Sequence, residues 1–368
     1  MTAIRVLGPE RLAPPSEIGA ARYASELLRH WHLGRSDAVA QSLERESAAL
    51  GWRLMLDAVR FLRDPTCVPL PRGAKERSIL LSTIVTMGGV AAAKAFLAAT
   101  TDEPVTVPAI AELHTLIAHA PTDAPDGAAP DLLDDPARDV QVTACPGART
   151  VIFVFTGGAQ RFNGPLRLIH AWLRRLGASI VYLRDLHGMH FLGGVPSLGD
   201  GYRETVRALR RLAADLGCPR IVCTGSSSGS FGALRYGLDL PAERVLCFAG
   251  PTVLDDSLPE LLRRERLRGA VGEPVDPTQL DLAALYAAAD RRPALRLVYG
   301  GANRWDRAEA ERMGDVPGVE LVPIPGLAQH GVVPYLLPGG AFGRHLAWLA
   351  GGVAPGTRPL TPAPAGPT

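Results

Sequence analysis

Residues 220–237 read RIVCTGSSSGSFGALRYG. The apolar run at the start predicts a strand ending at Cys223 or Thr224, and a helix begins near Ser230. Between them lies Gly225-Ser226-Ser227-Ser228-Gly229. A strand that enters a helix through so tight a turn holds the residue at its apex in a strained backbone. The residues two before and two after the apex then pack closely and have to lack bulk. Three serines compete for the apex. Only Ser227 has glycine at both offsets, Gly225 and Gly229; Ser226 and Ser228 would each be flanked by Thr224 or Ser230. The turn also sets Ser227 at a helix N-terminus, where free N–H groups favour developing negative charge. A glycine-rich phosphate loop is the rival reading, and it fails for want of the lysine that such loops place after the second glycine.

Outward from this turn the chain alternates. Apolar, β-branched runs at 140–144, 151–155, 179–183, 220–223, 244–248, 295–299 and 319–323 predict strands. Amphipathic stretches at 165–176, 201–216, 229–238, 257–269, 278–289, 304–314 and 339–350 predict the helices between them. Short, continuously apolar strands divided by helices imply a mostly parallel sheet covered on both faces, over residues 139–351. Before it, residues 1–120 read as a smaller helical region, with helices over 17–32, 36–64, 76–99 and 108–119. Residues 121–138, rich in Pro, Asp and Ala, read as a linker or surface loop. The tail, 352–368, reads as disordered. Residues 79–99 are nearly long enough to span a bilayer. Ser82, Thr83, Thr86 and Lys94 argue against a span, and Gly88-Gly89 predicts a break between two shorter, buried helices.

A serine nucleophile needs a base, and histidine is the side chain poised for that near neutral pH. Two histidines follow Ser227. His330 lies on a loop just after the last strand, between Gly326 and Gly331, where a base could reach over the sheet edge. His345 lies inside the last helix and reads as a packing residue. The acid is expected after the preceding strand, and Asp306 stands there; Asp255 and Asp256, after the strand at 244–248, form the alternative. Glu309 and Glu311 read as solvated helix positions. An oxyanion hole needs two backbone N–H groups. Ser228 supplies one, and the Gly157-Gly158 pair after the strand at 151–155 supplies the other, with Gly158 as the choice. His187 and His190 have H-x-x-H spacing but no third ligand, so no metal is expected. Residues 251–293 lie where a lid would be inserted. The run Arg263-Arg264-Glu265-Arg266 reads as a solvated helix face.

The totals exclude several classes. With 47% hydrophobic and 21% charged residues and a formal net charge of +2, the 368-residue chain is globular, and neither nucleic acid nor an anionic membrane surface is its expected partner. Its five cysteines show no CxxC pair, which favours buried thiols in a reducing compartment over disulfides or zinc. The start lacks the layout of a signal peptide, so a cytoplasmic location is expected. No cofactor motif is present.

Elbow, glycine pair, acid loop and late histidine together resemble the α/β-hydrolase superfamily over roughly residues 139–351. More narrowly, TGG (156–158), YLRD (182–185), GSSSGSFGALRYG (225–237) and AQHG (328–331) look like a bacterial group of that fold found beside helical-repeat or glycosyltransferase segments. Ser228 and Ser230 depart from it, standing where the group often has Met and Gly. The resemblance implies a triad of Ser227, His330 and Asp306. Three functions follow as expectations: hydrolysis of a small-molecule ester or thioester, acyl transfer to a sugar or other hydroxyl, or a non-catalytic binding module. The helical region before residue 139 lies outside the resemblance and is a candidate surface for a protein partner.

Overall fold

Seven short strands lie between residues 140 and 324: β1 (Val140–Thr143), β2 (Thr150–Phe155), β3 (Ser179–Leu183), β4 (Arg220–Ser226), β5 (Arg244–Phe248), β6 (Ala294–Gly300) and β7 (Val319–Ile324). The structure, a computed structural model, describes residues 14–69, 73–100, 107–125, 127–254 and 279–351. The strands form one sheet in the order β1-β3-β2-β4-β5-β6-β7. Only β1 runs antiparallel to its neighbour; every other pairing is parallel. Strands β2 and β3 are buried at every position. That explains why they read as unbroken apolar runs rather than as alternating ones.

The helices are α1 (Pro15–Ile18), α2 (Ala20–His32), α3 (Ser36–Glu46), α4 (Leu50–Arg63), α5 (Ala74–Ala99), α6 (Pro108–His119), α7 (Leu166–Leu173), α8 (Tyr202–Asp215), α9 (Ser228–Asp239), α10 (Leu282–Ala288), α11 (Arg304–Glu311), α12 (Val333–Leu336) and α13 (Ala341–Ala350). The stretch 36–64, expected as one helix, is broken at 47–49, where Ala49 takes an extended backbone and lets α4 fold back on α3. The expected helix 257–269, the run 263–266 and the tail 352–368 lie outside the described residues.

The N-terminal helices are a layer of the same body. Helix α5 packs on α4, α6 and α7, and its Leu80, Ile84 and Phe96 join one apolar core with Phe153 and Ile169. A smaller cluster of Tyr23, Leu27, Val39, Leu43, Leu56 and Val59 holds the outer helices together. Because α5 covers it, α7 is buried on both sides, and all its residues but Trp172 are buried. Helix α5 is long and apolar enough to cross a membrane, with a mean hydropathy of 1.7 over its most apolar window. Within the fold 56% of that window is buried by the protein itself. The helix also breaks where the glycine pair predicts: Gly89 takes φ 78°, ψ −173°. A break frees carbonyls that need donors. Arg167 Nη1 donates to Thr86 O at 2.9 Å, and Trp31 Nε1 donates to Met87 O at 3.0 Å.

The described residues of the segment 121–138, expected as a linker or surface loop, have no helix or strand and are tied to the body of the fold. Ala129 exchanges backbone and side-chain hydrogen bonds with Arg174, each 3.1 Å long. Asp134, buried, pairs with Arg184 at 2.5 Å, and Arg184 also donates to the carbonyls of Asp135 and Arg138. Arg184 is 4% exposed and Asp134 8%. Removing one partner of such a pair strands the other charge in a dry site. Arg184→Ala is therefore expected to cost about 3–5 kcal/mol of stability, read from the denaturant midpoint. A midpoint equal to the parent's would mean that water already reaches Asp134.

Candidate active site

In an open parallel sheet the crevice forms where consecutive strands depart to opposite sides. Here the chain leaves β2 for β3 on one side and returns to β4 on the other, so the crevice opens at the C-terminal ends of β2 and β4. Phe155, the last residue of β2, stands opposite Gly225. The loop after β2 carries Gly157 and Gly158, and the turn after β4 carries Ser227.

Ser227 sits at φ 56°, ψ −129°, a conformation costly for a residue with a Cβ. Close packing maintains it. A Cβ on Gly225 would lie 2.1 Å from Gly229 O, and one on Gly229 would lie 2.2 Å from Phe155 O. The Ser227 N–H is tied to Phe248 O at 3.2 Å. Gly250, at φ 120°, lies against Ser227 O, a close approach with no local signal in the sequence. Ser227 itself is half-buried, open on one side.

The structure brings Ser227, His330 and Asp306 into one hydrogen-bonded line. His330 Nε2 is 2.9 Å from Ser227 Oγ, and His330 Nδ1 is 2.7 Å from Asp306 Oδ1. Asp306 is buried in the first turn of α11, where the free N–H groups favour a carboxylate. Its Oδ2 is buried and meets no donor among the described residues. The Asp306 hydrogen bond raises the His330 pKa above its ordinary 6.5, against the opposing effect of burial. The imidazole remains open to solvent, with 42% of the side chain exposed, and the Trp305 ring lies 5.7 Å from it. Asp255 and Asp256 lie outside the described residues.

Asn303 links the acid to the base, which sequence reasoning missed. Its Oδ1 accepts from the N–H groups of Trp305 and Asp306, capping α11, and its Nδ2 donates to Ala328 O at 3.1 Å in the His330 loop. A cap signal was available in the sequence; the second tie, to a loop 25 residues on, was not. Glu309, read as solvated, instead accepts from Thr252 and Val253 N–H and from the Thr252 hydroxyl, and so holds the loop after β5.

The two glycines after β2 differ in one respect. Gly157 N–H is occupied by Arg161 O at 2.8 Å. Among the described residues, the N–H groups of Gly158 and Ser228 have no acceptor, and a Cβ on Gly158 would lie 3.6 Å from Ser228 Oγ. Gly158 and Ser228 thus lie close together, next to the turn that carries Ser227. Gln160 fixes this loop by donating to Asp185 O at 2.6 Å. Ser230 has a different task from Ser228: it is buried and donates to Ala249 O.

The remaining histidines stand apart. His187 is exposed and His190 lies half-buried against Phe231. Among the described residues no group of three or more His, Cys, Asp or Glu side chains gathers as a metal would require. His345 is pushed down to about 4 by burial and packs on Phe248.

The sequence matches no protein-family model and no curated protein. Solved structures do resemble it. A truncated carbohydrate esterase from gut microbiota is 16% identical, covering 62% of this chain and 94% of its own, with a TM-score of 0.41. An S-formylglutathione hydrolase from Agrobacterium tumefaciens is 15% identical over 58% of this chain and 88% of its own, with a TM-score of 0.41. The capsule O-acetyltransferase of Neisseria meningitidis serogroup A is 14% identical over 54% and 87%, with a TM-score of 0.40. Likeness at this distance says nothing of a substrate.

Proposed function

We propose that this chain, a mostly parallel seven-stranded sheet with a serine elbow at its crevice, is an enzyme of the α/β-hydrolase type that hydrolyses a carboxylic ester or thioester through an acyl-Ser227 intermediate. One observation carries the reading: His330 reaches Ser227 at 2.9 Å with one ring nitrogen and the buried Asp306 at 2.7 Å with the other. With Nδ1 protonated and donating to Asp306, Nε2 is left to accept the Ser227 proton. Ser227 Oγ attacks the carbonyl carbon as its proton passes to Nε2. The oxygen that becomes negative is held by the Gly158 and Ser228 N–H groups. Collapse of the tetrahedral species breaks the bond to the leaving group, which takes the proton from Nε2. Water then repeats the sequence on the acyl-serine and restores the enzyme. No cofactor enters any step. The solvent-open face of His330 favours water over an alcohol as the second nucleophile; acyl transfer to a hydroxyl runs by the same steps and is the second reading. A cytoplasmic setting is part of the proposal, since the protein's cysteines are free.

A fluorophosphonate probe tests this directly. The expected adduct maps to Ser227 by mass spectrometry and is absent from Ser227→Ala and His330→Ala proteins. A folded protein that takes up no probe would favour the binding-module reading instead.

The pH dependence has a definite sign. His330 acts as a base only when neutral, and its pKa is raised. Activity is therefore expected to rise with pH, with the midpoint of the acid limb above 6.5. Removing the negative charge in Asp306→Asn leaves burial to act alone, so the midpoint falls. Stability runs the other way. The attraction between protonated His330 and Asp306 is fully present below the unfolded-state pKa of histidine and is lost as pH rises through the raised folded value. A kcat/KM profile whose midpoint stays put in Asp306→Asn would contradict the assignment of Asp306.

A further inference from the structure

The N-terminal helical layer sends a carboxylate to the site. Glu112 of α6 is half-buried, and its Oε1 accepts from the Tyr335 hydroxyl at 3.0 Å. Its other oxygen, Oε2, has no donor among the described residues. Across from it, Asn163 in the loop after β2 donates through Nδ2 to Ser226 Oγ at 2.6 Å, which turns its Oδ1 outward. Both free oxygens face the space above Gly331, the neighbour of His330. A Cβ built on Gly331 would lie 3.4 Å from Asn163 Oδ1 and 3.5 Å from Glu112 Oε2.

We propose that Glu112 and Asn163 form a subsite for hydroxyl groups, so that the preferred ester carries a polyhydroxylated alcohol such as glycerol or a sugar. This rests on the acyl-hydrolase reading of the same site. Each side chain is fixed by one hydrogen bond and offers its remaining atom as an acceptor, so the missing partner is a donor. Two acceptors around one volume suit a pair of hydroxyls, each donating once. An ammonium group brings three donors and a full charge, and only one of the two acceptors here is charged. Glycine at position 331 keeps the volume empty. Burial raises the Glu112 pKa, in keeping with a carboxylate that has lost water and gained no cation. The helical layer thereby acquires a role as one wall of the site.

The test compares glycerol monobutyrate with ethyl butyrate, which share the acyl group. The wild-type protein is expected to prefer the glycerol ester. Glu112→Ala is expected to lower that preference, as a ratio of kcat/KM values, by roughly tenfold or more, the scale of a hydrogen bond to a charged group. Glu112→Gln, which keeps size and an acceptor oxygen but not the charge, is expected to restore part of it. An unchanged ratio in Glu112→Ala overturns the subsite while leaving the hydrolase reading intact. Preference for a choline ester, with Glu112→Gln as damaging as Glu112→Ala, overturns the hydroxyl assignment. Equilibrium binding of glycerol monobutyrate to Ser227→Ala protein separates the two readings. Binding that weakens with Glu112→Ala supports the subsite even if the wild type hydrolyses neither ester; binding indifferent to Glu112 overturns it.

Discussion

Ser227→Ala protein is expected to turn over an activated ester at least roughly 10⁴-fold more slowly than the parent, with folding unchanged. The size follows from chemistry. Without the hydroxyl no acyl-enzyme forms, and what remains is whatever the paired N–H groups and simple binding give to direct attack by water. His330→Ala is expected to fall nearly as far, because the serine then keeps its proton. The two losses are expected not to add, since each disables the same step. Burst kinetics with a chromogenic ester separate the cases: the parent shows a burst equal to the enzyme concentration, and neither variant does. Full activity in Ser227→Ala would move the nucleophile elsewhere and undo the whole reading of the elbow.

The second large effect is on the fold. Gly229→Ala would bring a methyl group to 2.2 Å from Phe155 O and 2.5 Å from Thr156 O. Neither oxygen belongs to a side chain that can swing aside. Phe155 is bound into the centre of the sheet, paired with both Leu183 and Gly225. Relief would require α9 to lift from β2, so the cost is expected to reach about 3 kcal/mol, the upper range for overpacking. That corresponds to a melting temperature lower by roughly 4 °C, or to insoluble protein. Calorimetry reads it directly; a melting point within a degree of the parent's would mean the turn is looser than its geometry implies.

Those two residues also mark what the sequence made legible. The elbow announced itself because its constraints are local: a strand, a helix and two glycines at fixed offsets within one short stretch. All seven strands were readable, and β2 and β3 for a similar reason, since a parallel strand buried at every position is an apolar run of limited length. Gly88-Gly89 told of the break in α5, because a helix break is also a local event. What stayed hidden depends on pairs far apart in the chain. Arg167 answers the carbonyl of Thr86 across 81 residues, and Arg184 answers Asp134 across 50. Glu309 holds a loop 57 residues upstream. Each of these side chains reads in isolation as an ordinary surface charge. The same holds for Glu112, whose interest comes from Tyr335, 223 residues on. The segment 121–138 read as a linker or surface loop because Pro, Asp and Ala are what loops contain, and the arginine partners that tie it to the body of the fold lie far along the chain.

The strand order has a consequence for the protein as it is made. Synthesis delivers β2 and β4, the strands that flank the crevice, before β5, β6 and β7. A nascent chain that has reached β5 can already hold the elbow, with the Ser227 N–H anchored to Phe248 and the glycine loop opposite. It has no base. His330 arrives 103 residues after Ser227, once β6 and β7 have been added at the far edge of the sheet. On the proposed mechanism the serine therefore stays without its base until the chain beyond β7 has been made.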